Sequence, residues 1–275
     1  MNIPPLSDSL QRFAAIDEGL DCMIRVDPQN PSREWRIPLP TKSRSLQALS
    51  DDLLVLASDS GYAEIDAVSG KIIRQNDVFE TGVISTERLS NGNTFVGGTN
   101  LGAKGVSFIE LDKANQQVRS VAFPGDYVRR SSLTPADTIL YTCDNRVFEG
   151  DWSGKILREF AIAGFRHAWK AVRTNRNTTL ISAGYGAFVV ECDGQGRELL
   201  RWDCKDHAAD VRPNFFGDFQ MLQNGGLLVC NWLGHGTNLG GTGYPLLEFA
   251  PDGTLKGAWQ DAERTSSLQA FALLS

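Results

Sequence analysis

A four-residue segment occurs twice in the chain, as Ser45-Leu46-Gln47-Ala48 and as Ser267-Leu268-Gln269-Ala270, and the second copy is followed only by residues 271–275. Between the copies two kinds of turn alternate. One recurs as Asp66-Ala-Val-Ser-Gly70-Lys71, Asp112-Lys-Ala-Asn115, Asp151-Trp-Ser-Gly154-Lys155, Asp193-Gly-Gln-Gly196-Arg197 and Pro251-Asp-Gly253, with a degenerate copy at Asp27-Pro-Gln-Asn30. The other recurs as Ser50-Asp-Asp52, Asn91-Gly-Asn93, Pro135-Ala-Asp137, Asn175-Arg-Asn177 and Asn224-Gly-Gly226. Asp, Asn, Pro and Gly suit tight hairpins, and the runs between them alternate apolar and polar residues, so each unit reads as a four-stranded antiparallel sheet. A spacing of about 40 to 45 residues is that of a β-propeller blade.

An open ring would expose two sheet edges. The second copy opens an innermost strand with no partners after it, whereas Arg12-Phe-Ala-Ala-Ile16 and Asp21-Cys-Met-Ile-Arg-Val26 begin in mid-blade. The expected fold is therefore all-β: a single six-bladed β-propeller over residues 1–275, closed by the C-terminal strand joining the N-terminal blade.

The units Asp66-Ala-Val-Ser-Gly-Lys71, Glu191-Cys-Asp-Gly-Gln-Gly-Arg-Glu-Leu-Leu-Arg-Trp202 and Phe249-Ala-Pro-Asp-Gly-Thr-Leu-Lys-Gly-Ala-Trp259 resemble the repeat of quinoprotein-type (PQQ-like) propellers. In that repeat an Asp-x-x-Gly-Lys turn leads to a Trp on the outer strand. The resemblance implies the blade, with Trp35, Trp202 and Trp259 docking one blade on the next. It does not imply the cofactor, because those proteins use longer rings with a vicinal cysteine pair and a calcium site, and no two cysteines are adjacent here.

A net charge of -6 without a basic block argues against nucleic-acid binding. No signal peptide or apolar membrane span is recognised near residues 1–10, and five cysteines without CxxC spacing suit a reducing compartment, so a cytoplasmic protein is expected. Cys143, Cys192 and Cys230 lie in alternating apolar runs and read as buried small hydrophobes.

In such a blade the inter-blade loops and the loops between the second and third strands share one face, and the tight turns share the other, where little room for chemistry is expected. His167, His207 and His235 all fall in the loop classes and are candidate acid–base residues. Their spacing has no metal motif, and neither metal nor cofactor is assigned. Aligning the inner strands places Gln269, Gln47, Glu87, Ser131, Lys170 and Gln220 at one position, with Arg129 and Asp218 two residues earlier in their own strands, all facing the axis. Arg130 falls at the intervening, inter-blade position.

The axial channel is thus expected to hold Glu87 and Asp218 as further catalytic candidates, with Arg129, Lys170, Gln47 and Gln220 binding ligand. A wet channel of mutually neutralising charges is the alternative. A collar of Arg44, Arg129, Arg166, Arg212 and Arg264 precedes the inner strands. It either recognises an anion or pairs with loop carboxylates such as Asp126, Asp206, Asp210 and Glu263. The Gly-rich segment Trp232 to Tyr244 reads either as a lid or sugar-stacking edge, with Trp232 and Tyr244 touching ligand, or as a flexible insertion. The functions open to the chain are binding of a polar, anionic or carbohydrate-like small molecule at the loop-face mouth, with lyase, isomerase or hydrolase chemistry, and a non-catalytic scaffold for a protein partner.

Overall fold

The Asp-led turns are capped by their own carboxylates. In the computed structural model, which describes residues 3–143 and 145–274, Asp193 Oδ1 accepts the Gln195 and Arg197 amides at 2.8 and 2.9 Å while Gly196 takes φ +78°. Asp112 does the same for Ala114 and Gln116, both at 2.8 Å, with Asn115 at φ +61°. A carboxylate satisfying two amides and a residue that tolerates the left-handed region are what the turn needs, which explains why Asp recurs three residues before Gly or Asn.

Among the described residues these turns organise six four-stranded antiparallel sheets. Blades 1 to 6 have the inner strands Leu268–Leu273, Leu46–Ser50, Val83–Arg88, Val128–Leu133, Ala171–Arg173 and Phe215–Met221. The strand Leu268–Leu273 pairs antiparallel with Phe13–Asp17, Phe13 opposite Leu273 and Asp17 opposite Leu268, so the two ends of the chain share blade 1. Buried Asp17 fastens the joint. Its carboxylate accepts the Ser266, Ser267 and Leu20 amides at 2.7, 3.0 and 3.2 Å.

Six apolar clusters fill the six interfaces between neighbouring blades. Phe13 and Ile24 of blade 1 meet Cys230 and Leu246 of blade 6 in one of them, and Val189 and Trp202 of blade 5 meet Phe216 and Val229 of blade 6 in another. Burial of these apolar faces is what drives blade against blade. The outer-strand tryptophans dock as the resemblance implied. Trp35 Nε1 and Trp202 Nε1 donate to the Ala67 and Ala250 carbonyls of the following blade, each at 2.9 Å, and Trp259 meets Phe13 edge-on at 5.1 Å. All five cysteines are buried. No helix among the described residues is long and apolar enough to cross a membrane.

Candidate functional site

Inner strands carry an unpaired edge, whose N–H and C=O groups need partners. Side chains supply them from the neighbouring blade. Gln47 accepts the Arg88 amide at 2.8 Å and donates to the Arg88 carbonyl at 3.2 Å. Gln220 Oε1 accepts the Leu273 amide at 3.0 Å, and Glu87 accepts that of Leu133 at 3.4 Å. Of the aligned polar position, therefore, Gln47, Gln220 and Glu87 have framework partners. Burial pushes the Glu87 carboxyl above its ordinary range.

Lys170 Nζ lies 2.6 Å from Asp218 Oδ1 and donates also to the Phe219 carbonyl at 2.9 Å. Burial pushes the Lys170 ammonium down against the pull of that carboxylate. The expected neighbour Arg129 is not at this level. A register shift between Val128 and Ser131 offsets the strand by one residue, and Arg130 takes the axial position that simple alternation assigned to Arg129. Its Nη1 donates to the Arg44 carbonyl of blade 2, and its Nη2 lies 4.0 Å from Asp218 Oδ2 of blade 6. Arg44 in turn reaches over Trp169 of blade 5, 5.7 Å from the ring centre, and donates to Tyr127 Oη. Two arginines thus cross the axis, and the polar channel is not an open conduit. Arg129 stands over the Tyr127 ring at 5.4 Å.

Above this crossing Trp169, Phe215 and Trp232 form a seventh cluster with Tyr185 packed on it. Phe215 meets Trp169, Tyr185 and Trp232 edge-to-face at 5.3, 4.8 and 5.6 Å, the preferred geometry of ring quadrupoles. His167 stands against Tyr185 at 5.3 Å and His235 against Trp232 at 4.6 Å. Glu18 joins the second pair, with Oε1 2.8 Å from His235 Nδ1 and Oε2 accepting the Trp232 indole N–H at 3.2 Å. Sequence reading passed over Glu18, although it lies between the second and third strands of blade 1 and so belongs to the loop-rich face.

The frame under these side chains is stiff. Gly184 exchanges hydrogen bonds with Phe216 at 3.2 and 2.9 Å, and Tyr185 N donates to the Arg166 carbonyl at 2.8 Å. A Cβ on Gly184 would lie 2.1 Å from the His167 carbonyl oxygen, so only glycine lets the two segments meet. His167 itself sits at φ +60°. Its imidazole is pushed below its ordinary pKa by burial and by the Arg129 and Arg166 charges.

The Gly-rich segment is hydrogen-bonded to the joint that closes blade 1. Leu233 N and Leu239 N donate to the Ser267 and Ser266 hydroxyls at 3.1 and 3.0 Å, and Ser266 Oγ donates to the Gly236 carbonyl at 2.6 Å. Trp232 and His235 reach the ring cluster. Tyr244 does not: it packs against the core between blades 5 and 6, with Val211 and Trp202.

His207 closes the short turn Lys205–His207 on the same face, and no ring contact joins it to the other histidines. The collar divides in the same way. Arg44 and Arg129 are at the mouth, whereas Arg264 pairs with Asp261 and Glu34 at 2.5 and 2.6 Å. Among the described residues no three His, Cys, Asp or Glu side chains converge as a metal set. The expectation of little room on the tight-turn face is corrected: a hollow of ≈ 750 Å³ lies there, between residues 7–12 and the turns at Asp27, Asp51 and Asn224.

No family model and no curated protein matches the sequence. Solved structures match the fold. A protein of unknown function from Bacteroides caccae is 17% identical, with 95% of this chain and 98% of that one covered at a TM-score of 0.78. The calcium-binding protein regucalcin from Agrobacterium tumefaciens is 15% identical over 96% and 93% of the chains, at 0.61. Virginiamycin B lyase from Staphylococcus aureus is 13% identical over 94% and 86%, at 0.56. At such identities the likeness is one of fold.

Proposed function

We propose that the loop-face mouth binds a small molecule with a flat apolar part and a negative charge, and that His167 and His235 move protons for it. The observation that supports this reading is the convergence, from blades 2, 4, 5 and 6, of four aromatic rings, two imidazoles and the cations Arg44 and Arg129 on one hydrogen-bonded frame. Rings hold a flat apolar group, and arginines beside them hold an anion. Trp169, Phe215 and Trp232 are only 4%, 5% and 6% exposed. They present no broad exposed apolar patch of the kind a protein partner would cover, which favours a small ligand over the scaffold reading.

His167, with its lowered pKa, is the proton acceptor at neutral pH. Glu18 holds Nδ1 of His235 and leaves Nε2 for the ligand side. One imidazole removing a C–H proton, and a second giving a proton to the group that departs with the bonding electrons, is lyase chemistry. The same pair returning the proton elsewhere on the molecule is isomerase chemistry. A lyase among the structures of similar fold accords with the first.

The test is a titration with benzoate followed by tryptophan fluorescence. Saturable quenching that weakens about tenfold or more in Arg44→Ala and Trp232→Ala, the scale of one lost charge-assisted bond or ring contact, is the expected result. Quenching that neither substitution alters would place the ligand elsewhere.

A further inference from the structure

We infer that Arg130 reads the charged group of the mouth's ligand and that this group is a carboxylate, an assignment that rests on the ligand-binding reading above. A guanidinium offers its donors on edges, and the edge made by Nε and Nη2 matches the two oxygens of a planar carboxylate. In Arg130 the remaining nitrogen, Nη1, is the one already used, on the Arg44 carbonyl. Nε is buried without a hydrogen-bond partner, and Nη2 stands 4.0 Å from Asp218 Oδ2, beyond hydrogen-bond reach. The fork edge of a side chain only 8% exposed is therefore unspent. Arg25, Arg88 and Arg173 also have an unpartnered Nε, but each holds a carboxylate on another nitrogen at 3.2, 2.7 and 2.5 Å, which Arg130 does not; leaving buried donors unmade costs stability.

The surroundings favour an anion on that edge. Asp218 already has its other oxygen on Lys170 at 2.6 Å, which offsets part of its repulsion, while its Oδ2, 4.0 Å from Arg130 Nη2, makes no hydrogen bond. The Trp169 indole N–H is a second buried donor without a partner, on the residue over which Arg44 lies. Arg130 and Lys170 both face the one carboxylate of Asp218, and burial favours the neutral form of Glu87. A carboxylate on the fork would leave the flat part of the ligand against the ring cluster above.

The experiment compares benzoate, benzamide and phenyl phosphate on the wild-type chain and on Arg130→Lys, which keeps the charge and loses the fork. Benzoate binding at least tenfold tighter than either other probe, with that preference lost in Arg130→Lys, is the expected result. Chemical denaturation of the variant checks that it is folded; if it is not, the wild-type preference decides the carboxylate class and Arg130→Gln, measured the same way, decides the residue. Equal binding of benzamide or phenyl phosphate by the wild type, or a benzoate preference that survives in folded Arg130→Lys, overturns the carboxylate assignment and leaves the mouth as a binding site. Failure of all three probes to bind overturns both.

Discussion

The two axial ends of this propeller differ in what lines them. The tight-turn face holds a hollow of ≈ 750 Å³, and among the described residues no aromatic or histidine side chain lines it. Its charges are matched to each other or to the frame: Arg12 with Asp51 at 3.2 Å, and Glu248 accepting from the Ser7 amide and hydroxyl at 2.8 and 2.6 Å. The loop-face mouth holds rings, imidazoles and a guanidinium edge that makes no hydrogen bond. Space alone marks where a segment has folded across the turns. Donors and rings that converge without satisfying one another mark where a ligand has been provided for.

Both ends hang on the same joint, so the largest effect should erase the comparison. Asp17→Ala leaves the Ser266, Ser267 and Leu20 amides without their acceptor. At about 1–3 kcal/mol for each unsatisfied buried donor, the loss should be on the order of 3 kcal/mol or more in urea denaturation. A stability unchanged from wild type would show that ring closure does not depend on this carboxylate.

The contrast itself is sharpened by paired substitutions. Arg12→Ala and Asp51→Ala in the hollow should leave benzoate binding within about twofold and stability within roughly 1 kcal/mol, as for a partly exposed ion pair. Equal losses of binding from hollow and mouth variants would abolish the distinction drawn between the two ends.

The smallest effect concerns one proton. Because folded His167 titrates below an ordinary imidazole, protonating it works against the native state. The stability it contributes is present above the ordinary imidazole pKa and is lost as the pH falls through the folded value. Burial is the leading cause and Arg129 the next, so Arg129→Gln should raise the His167 pKa modestly, and imidazole NMR signals should follow it. An unmoved titration would mean that Arg129 does not act on the mouth.

The repeat, the closure and the docking tryptophans were legible in the chain itself. Turn chemistry and period-two alternation are local, and a blade has few other ways to satisfy Asp193 and Gly196 or to bury Trp202. The loop-class rule likewise brought His167, His207 and His235 to one face. It could not say that His207 stands apart, that Tyr244 turns to the core, or that Glu18 from the opposite end of the chain orients His235.

Alternation also failed at one strand, where the shift between Val128 and Ser131 exchanged the roles of Arg129 and Arg130. The reason is physical. Residue type and spacing determine which side of a regular strand faces the axis, but a bulge inverts that order without leaving a mark in composition. The meeting of Arg44, Arg130 and Asp218 from three different blades exists only once the ring has closed around them.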